Sequence, residues 1–403
     1  MAVSDLDEKR PSSINQTVPL HSIIVALVAF LTVVDLFAAQ ALLPSLIALY
    51  DTTPAAMGVA VNACTLGMAA GGMTVALYGQ RVSRRIGVTA CLACLTLPTL
   101  GLALAPNLAV FAMLRVVQGL FMSAAFGLTL AHIGESSPRD TLPTAFAAYI
   151  TGNVASNLGG RLLAAAAVDH ASVASSFIVF AGLNLFGAIL AAIVIRGSAS
   201  MPASSRINQA ARLAPVLKSP QLRAAFGIGF VILFVFIGVF TYINIVLVRP
   251  PLGLGMMQLG FVYFVFLPAI FTTPIAGVVA RKIGTRAAIA AGLGIALIGL
   301  PFLAASHISY VAFGMVLVGI GTFFAQAIVT GYASRIAGDN AAAATGVYLA
   351  SYFSGGLAGA AVLGQIFDRV GWNGCLSAIG LALALAIGLT AKLTDAHDLK
   401  ASS

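Results

Sequence analysis

The sequence predicts an all-α membrane protein with many spans, and three observations lead to that prediction. Of its 403 residues, 60% are hydrophobic and only 8% are charged, whereas a soluble domain is typically about 25% charged. The mean hydropathy of the whole chain is +1.02. The apolar residues form continuous runs of about 20 or more, the length of a transmembrane helix, without the alternating pattern of barrel strands.

Twelve segments are long and apolar enough to cross a membrane. In the first half of the chain they lie at about 21–46, 55–79, 86–105, 108–134, 142–168 and 172–195. In the second half they lie at about 224–248, 257–280, 287–306, 309–334, 341–367 and 373–392. We therefore predict twelve transmembrane helices, which are called the first to the twelfth span below.

One long polar interval divides the twelve spans into two groups of six. It runs from Gly197 to Leu222 and contains three prolines, a serine cluster and several basic residues. The predicted organisation is a tail at 1–20, a six-helix bundle at 21–196, a linker at 197–222, a second six-helix bundle at 223–393 and a tail at 394–403.

The basic residues predict the topology. When the 21 lysines and arginines are placed on alternating sides of the twelve spans, all but four fall on one side. Arg249 and Arg369 fall on the other side, and Arg115 and Arg161 lie within spans. Because loops rich in Lys and Arg stay in the cytoplasm, both termini and the linker are predicted to be cytoplasmic. This placement explains the net charge of +9 without a nucleic-acid partner.

The two halves of the chain look like copies of each other. Matching positions are separated by 201 to 203 residues, namely Ala76 with Gly277, Gly119 with Gly321, and Gly152 with Gly355. Parallel six-helix repeats related by an axis along the membrane normal are a transporter architecture. The repeat therefore predicts two pseudo-symmetric bundles.

Three charged residues are predicted to share one depth in the first half. At 1.5 Å per residue, Asp35, Arg115 and Arg161 lie roughly 11–16 Å from the outer ends of their spans. Asp35 is the only carboxylate deep in any predicted span, and intramembrane acids commonly mark proton relays. We interpret Asp35 with Arg115 as a proton-coupling pair. The alternative is a permanent structural ion pair between the two.

The fifth span carries a polar stripe. Asn153, Asn157 and Arg161 recur at every fourth residue, so they share one face of a helix. Lipid would not tolerate this face, and we predict that it lines a substrate cavity; the alternative is hydrogen bonding between helices alone. The other residues assigned to the cavity are Gln40, Gln118, Tyr242, Asn244, Gln326, Tyr348 and Tyr352. Phenylalanines of the seventh span are expected either to line this cavity or to face lipid.

Several of these segments resemble motifs of the major facilitator superfamily, and the resemblance covers essentially the whole chain. The loop after the second span is similar to that family's Gly-x-x-x-Asp-Arg-x-Gly-Arg-Arg signature, with Ala76, Gln80 and Ser83 in place of the first Gly, the Asp and the second Gly. The resemblance assigns gating roles to the basic residues of this loop and of its repeat, which are Arg81, Arg84, Arg85, Arg281, Lys282 and Arg286.

Motifs within the spans add to the resemblance. The stretch from Arg115 to Gly119 resembles the family's fourth-span Arg-x-x-Gln-Gly motif, and Asp35 to Pro44 resembles the first-span motif of proton-coupled exporters. The stretch from Gly152 to Arg161 is similar to the fifth-span glycine motif of antiporters, with Asn157 where a proline is usual.

The resemblance implies a secondary active transporter of the bacterial inner membrane that moves a small solute by alternating access. It favours proton-coupled efflux, or antiport, of a drug-like, sugar or metabolite substrate. A proton-coupled uptake symporter or a uniporter on the same fold is the alternative. The expected partners are a small-molecule substrate, protons and the lipid bilayer, and one chain is expected to function as a monomer.

Other classes of function are not favoured. The sequence has no His-Glu-x-x-His, no Gly-x-Ser-x-Gly and no Gly-x-x-x-x-Gly-Lys motif, so neither an enzyme nor a self-contained ATP-driven pump is predicted. The four cysteines all lie in apolar segments, and the Cys91-x-x-Cys94 pair has no His or further Cys near it. We therefore predict no metal and no cofactor.

Overall fold

The computed structural model describes residues 17–136, 142–195 and 213–394, and these ranges contain helices but no strand. The six spans of the first half are Thr17–Ala41 continued by Leu43–Tyr50, Pro54–Asn62 continued by Cys64–Tyr78, Arg84–Leu102, Leu108–Ser136, Leu142–His170 and Val173–Val194. Most of the predicted linker and tails lie outside the described residues.

The second half repeats this arrangement after a short helix, Leu213–Lys218. Its six spans are Pro220–Val248, Met256–Val262 continued through Tyr263–Phe266 to Leu267–Ile283, Thr285–Gly299 continued by Leu300–Ala304, Ile308–Ile336, Ala341–Val370 and Trp372–Thr390. The predicted all-α membrane fold of two six-helix bundles is confirmed.

The fifth span differs from the others in composition. Eleven helices among the described residues are long and apolar enough to cross a membrane, and the fifth span is absent from that set. Leu142–His170 is nevertheless 29 residues long. Its two asparagines and its arginine lower its hydropathy, and these are the residues of the polar stripe. The helix is therefore long enough to cross but too polar to do so without partner helices.

Two spans begin with the same N-terminal cap, a hydroxyl residue followed by proline. Thr53 precedes Pro54, and its side chain accepts a hydrogen bond from the Ala56 amide (3.2 Å) at the start of the second span. Ser219 precedes Pro220 and accepts from the Leu222 amide (3.3 Å) at the start of the seventh span. A hydroxyl N-cap satisfies an amide that has no helical partner, and proline at the first helical position loses no hydrogen bond.

Contacts within each half repeat as the sequence predicts. Arg85 donates from Nε to the backbone oxygen of Ala192 (2.9 Å), and Arg286 donates from Nε to the backbone oxygen of Leu393. Both partners are 201 residues further along in the second half, from 85 to 286 and from 192 to 393. In each half a basic residue of the repeated loop thus holds the end of the last span.

Two glycines pack at equivalent places in the two halves. A Cβ at Gly152 would lie 2.0 Å from the backbone oxygen of Ala26 in the first span. A Cβ at Gly355 would lie 2.0 Å from the backbone oxygen of Phe230 in the seventh span. Only glycine allows backbones this close, so the first and fifth spans cross as the seventh and eleventh do.

The two sides of the molecule are named by their loops. The basic side carries residues 79–83 and 284, and the far side carries Asp51, Pro250 and Gly371. Among the described residues, side-chain hydrogen bonds join the two halves from mid-membrane to the far side: Ser45 with Met256, Ala55 with Asp368, Asn62 with Thr241, Gln40 with Asn244, and Arg161 with Phe240. The second and eleventh spans also touch nearer the basic side, where Gly346 lies against Ala76.

Candidate functional site

Asp35 is buried inside the first half, among four spans. Its Oδ2 accepts hydrogen bonds from Asn184 Nδ2 (2.8 Å), Thr99 Oγ1 (3.0 Å) and Gln118 Nε2 (3.2 Å). Its Oδ1 has no hydrogen-bond partner within the described part of the chain, and only 3% of the residue is exposed. The carboxyl therefore meets neutral donors on one oxygen and leaves the other oxygen free.

Thr99 and Asn184 lie outside the site that the sequence predicts. They come from the third and sixth spans, which carried no candidate residue. One signal was available for Asn184, because it is the only amide side chain in Val173–Val194. A single amide in an otherwise apolar membrane helix is expected to face a polar partner inside the bundle. Thr99 gave no such signal, because a threonine hydroxyl can instead donate to a carbonyl of its own helix. Thr99 does so here to the Leu95 backbone oxygen (2.8 Å).

Arg115 is fully buried and is held by neutral acceptors. Its guanidinium donates to the backbone oxygens of Val61 (2.8 Å), Asp35 (3.3 Å) and Leu36 (3.4 Å), to Gln118 Oε1 (2.7 Å) and to Cys64 Sγ (3.0 Å). Among the described residues, one salt bridge is formed, between Arg84 and Glu135 (2.7 Å). Asp35 and Arg115 are therefore not paired directly; Gln118 bridges them, and a simple ion pair is not what the structure contains.

Arg161 lies on the other side of the first span, between the two halves. It is fully buried and donates from Nη2 to Gln40 Oε1 (2.5 Å) and from Nη1 to the backbone oxygen of Phe240 (3.4 Å) in the seventh span. Three aromatic rings surround the guanidinium carbon, at centroid distances of 4.0 Å for Tyr263 and 5.9 Å for Phe37 and Phe266. The three charges predicted to share a layer thus belong to two separate environments.

Unsatisfied polar atoms mark the fifth span beside Arg161. Arg161 Nε has no hydrogen-bond partner in the ranges that the structure describes, and neither Nδ2 nor Oδ1 of Asn157 has one there. Asn157 is fully buried, whereas Asn153, one turn nearer the basic side, is partly exposed. Because buried polar groups are nearly always hydrogen-bonded, the described contacts leave this part of the predicted stripe without its partners.

A chain of amides connects the first span to the seventh. Gln40 Nε2 donates to Asn62 Oδ1 (2.8 Å), and Asn62 Nδ2 donates to Thr241 Oγ1 (3.1 Å) across the two halves. Asn244 Nδ2 donates to the backbone oxygen of Gln40 (3.0 Å), and the hydroxyl of Tyr263 donates to Asn244 Oδ1 (2.5 Å). Gln40 and Asn244 were predicted cavity residues, whereas Asn62 and Thr241 were not.

The predicted residues of the second half are packed rather than exposed to a cavity. Tyr242 donates to the backbone oxygen of Ala360 (2.5 Å) and fills the space above Gly58 of the second span. Tyr348 and Tyr352 are buried and stacked, with ring centroids 6.0 Å apart. Gln326 is partly buried. In this conformation these side chains lie in the contacts between helices.

Two phenylalanines of the seventh span do not face lipid. Phe236 and Phe240 are buried, and their ring centroids lie 4.7 Å apart. Phe240 also lies 4.7 Å from Phe266, and Phe236 lies 6.2 Å from Phe37 of the first half. The expectation that these two rings could face lipid is wrong, because their helix packs against the first half as well as its own.

The predicted gating residues lie at the basic side. Arg84 pairs with Glu135 within the first half. Arg81 lies over the ring of Tyr78 (5.3 Å to the centroid). Arg281 and Lys282 are exposed. The Arg84–Glu135 pair joins the repeated loop to the end of the fourth span.

Comparison with known proteins gives several relatives of similar length. A transporter of Buchnera aphidicola subsp. Schizaphis graminum, named as uncharacterized, is 24% identical over 360 residues, which cover 89% of this chain and 87% of the relative. The Bacillus subtilis protein YybF, named as an uncharacterized MFS-type transporter, is 22% identical over 370 residues (90% and 91%). The Escherichia coli inner membrane transport protein YnfM is 23% identical over 358 residues (87% and 85%).

The fold has close neighbours among solved structures. A bacterial homologue of the human lysosomal transporter Spinster, in an inward-facing and unoccupied conformation, superimposes with a TM-score of 0.71 at 14% identity and covers 94% of both chains. Residues 25–360 match the sequence profile of the Major Facilitator Superfamily. Together with the twelve spans of the described residues, the repeated halves and the buried polar network between them, this match shows that the chain is a multi-pass membrane transporter of the major facilitator superfamily.

Proposed function

We propose that the protein exports a small organic solute across the bacterial inner membrane in exchange for protons. In this proposal the two halves rock around a site between them, and the site opens to each side of the membrane in turn. The observation that carries the proposal is the environment of Asp35, a buried carboxyl with neutral donors on one oxygen and no partner on the other.

The orientation follows from the basic residues. The basic side and both termini are assigned to the cytoplasm because Lys and Arg concentrate in its loops. The described hydrogen bonds between the halves lie from mid-membrane to the far side, which is then the periplasmic side. A carrier closed on that side is in the state that exchanges solute with the cytoplasm, which export requires and which uptake also passes through. The name of the Escherichia coli relative also supports the inner membrane.

Asp35 is assigned the proton. Its free Oδ1 can take a proton without breaking any of the three hydrogen bonds to Oδ2. No cation among the described residues is paired with it directly, so no salt bridge within them locks its ionised form. Gln118 connects its carboxyl to Arg115, and Arg115 in turn holds the backbone of Asp35 and Leu36. A change of charge at Asp35 in the first span is thereby transmitted to the fourth span, which carries Gln118 and Arg115.

The solute is assigned to the interface between the halves. Asn153, Asn157 and Arg161 line the first half's wall in this proposal, with Gln40 beside them. From the second half, the proposal includes Tyr242, Asn244, Gln326, Tyr348 and Tyr352, which must exchange their present contacts as the halves move. A single chain contains every one of these groups, so the monomer is proposed as the functional unit.

The proposal is tested by coupled growth and vesicle measurements. An efflux-deficient bacterial host expresses the wild type, Asp35→Asn or Asp169→Asn at matched levels and is exposed to organic acids, their amides, cationic dyes and sugars. Compounds to which the wild type gives resistance are then added to everted vesicles in which respiration has built a pH gradient. Wild-type vesicles are expected to show substrate-induced collapse of that gradient, read from a pH-sensitive dye.

The two variants separate proton coupling from general damage. Asp35→Asn is expected to abolish both resistance and the dye response, whereas Asp169→Asn, which changes an exposed acid at the far end of the fifth span, is expected to keep both. Gradient-driven transport that survives Asp35→Asn contradicts the assignment. Increased sensitivity to a compound in the wild type contradicts export and supports uptake instead.

A further inference from the structure

The polar stripe of the fifth span identifies a class of substrate. We infer that the transported solute carries an anionic group, such as a carboxylate, which binds to Arg161 and Asn157, and an apolar body that rests on the aromatic rings around them. The inference rests on the proposed function only in its assumption that the solute passes between the two halves.

The charge of Arg161 has no counterion among the described residues. Its hydrogen-bond acceptors are the neutral Gln40 side chain and the Phe240 carbonyl, and its other close contact is the neutral Tyr263 side chain. Asp35 lies at a similar depth, but its carboxyl faces Thr99 and the inside of the first half. A fully buried guanidinium served only by neutral groups retains a large desolvation cost. An anion that enters between the halves would supply the missing charge.

Unpartnered donors point to the position of that anion. Arg161 Nε and Asn157 Nδ2 are both buried and both lack a partner. They lie four residues apart on one helix, so their side chains are neighbours on the same face. Two N–H donors on adjacent turns, one of them charged, suit a carboxylate, whose hydrogen bonds to ionised donors are short and strong. Asn157 Oδ1, also unpartnered, is left to accept from a hydroxyl or amide of the solute.

The burial of the stripe decreases toward the basic side. Asn153 lies one turn nearer the basic side and is partly exposed, whereas Asn157 and Arg161 are fully buried. An anion entering from the basic side meets an amide first and the guanidinium last. The rings of Phe37, Tyr263 and Phe266 surround the guanidinium carbon and provide apolar faces for the rest of the molecule.

An anionic substrate has an electrical consequence. Export of one negative charge in exchange for one inward proton moves two positive charges inward per cycle. A potential that is negative inside drives both movements, since each charge crosses the field in its favourable direction. Symport of the same anion with one proton into the cell would move no net charge. Current measurement therefore also reports the direction of coupling.

The binding test uses pairs of probes that differ in charge and little in shape. The purified full-length protein is titrated with benzoate and benzamide, and with cyclohexanecarboxylate and its amide, and binding is read from thermal stabilisation. The acids are expected to bind the wild type about 10-fold or more tightly than the amides, as a charged hydrogen bond gives. Arg161→Gln is expected to remove this preference, and Arg161→Lys to keep part of it.

Two further variants keep the inference falsifiable if Arg161→Gln does not fold. Asn157→Ala removes a side chain that has no described internal hydrogen bond, so the fold is expected to survive while acid binding weakens about 10-fold. Arg369→Gln removes an exposed charge at the far side and is expected to keep the preference. Equal binding of acids and amides, binding of neither, or a preference that survives both Asn157→Ala and Arg161→Gln overturns the inference.

Failure of the inference is distinguishable from failure of the proposed function. Equilibrium binding of acids requires neither a proton gradient nor a direction of transport. A protein that prefers acids but transports without Asp35 would leave the inference standing and remove proton-coupled export. A protein that exports neutral compounds with strict dependence on Asp35 would do the reverse.

Discussion

Two buried arginines of the first half illustrate how differently one residue type is used inside this fold. Arg115 lies within the half and donates to five acceptors there. Arg161 lies at the boundary with the second half, where it has two acceptors, one from each half, and an Nε without a partner. Both side chains are fully buried, so burial alone does not distinguish their roles.

The comparison distinguishes side chains whose contacts lie within one half from side chains whose contacts cross between the two halves. The contacts of Arg115 can persist through a transport cycle, because all of its partners move with it as one body. Those of Arg161 to Phe240 and Tyr263 must break when the halves move apart. Arg115, whose set of hydrogen bonds is complete, is therefore the structural arginine. Arg161, whose set is incomplete, is the one available to a solute. Four predictions test this distinction, from the largest expected effect on stability to the smallest.

Arg115→Met is expected to lower the free energy of unfolding by about 3–5 kcal/mol, because it leaves acceptors unsatisfied and a buried acid without its nearby cation. The measurement is thermal unfolding of the purified protein in detergent, with monodispersity as a second readout. Arg115→Lys, which keeps the charge, should lower the free energy of unfolding less. A variant Arg115→Met as stable as the wild type would contradict the structural role.

Gly119→Ala is expected to lower the unfolding free energy by about 2 kcal/mol, as overpacking of a tight contact does. Gly119 lies one turn after Arg115, and its Cβ would lie 1.8 Å from the backbone oxygen of Cys64, which forces the second and fourth spans apart. Gly182→Ala is the matched control, because no atom lies within 4 Å of a Cβ there. Equal unfolding temperatures for the two variants would refute the close crossing.

Asp368→Ala is expected to weaken closure of the far side by about 0.5–1.5 kcal/mol, the net value of one hydrogen bond. Asp368 Oδ2 accepts from the Ala55 amide of the other half (3.3 Å). The measurement is cross-linking between Ser45→Cys and Met256→Cys, whose native side chains lie 3.7 Å apart across the halves. The Asp368→Ala background should lower the cross-linking yield, whereas Glu135→Gln, confined to one half, should leave it unchanged.

Arg161→Met is expected to change the unfolding free energy by about 1 kcal/mol or less, because removal of a poorly compensated buried charge offsets its lost hydrogen bonds. Transport should nevertheless be lost. Measured beside Arg115→Met in one unfolding series, this variant tests the comparison directly. If Arg161→Met proves as destabilising as Arg115→Met, Arg161 is a structural group and the distinction between the two arginines fails.

The internal repeat shows how far sequence reasoning can reach. The two repeated loops are 201 residues apart in the sequence, and the hydrogen bonds of Arg85 and Arg286 recur at the same separation. Another matched pair was less informative. Gly119 packs against Cys64 of the second span, whereas Gly321 packs against Gly292 of the ninth. A shared separation therefore predicts equivalent positions but not equivalent neighbours.

The amino-acid sequence by itself determined the fold class, the number of spans and the candidate charges. Composition and run length fix which segments enter a membrane, and these are properties of single segments. It also determined that Asn153, Asn157 and Arg161 share one face, because that follows from helical periodicity alone.

Only the tertiary structure decided which partners those side chains meet. Asp35 and Arg161 share a depth, yet the first span separates their side chains, and depth along a helix carries no information about rotation around it. Asn184 and Thr99 reach Asp35 from the sixth and third spans, across distances in sequence that no local pattern records. The physical reason is that hydrophobicity and helical periodicity are local properties of the sequence. Packing between helices depends instead on residues that lie far apart in it.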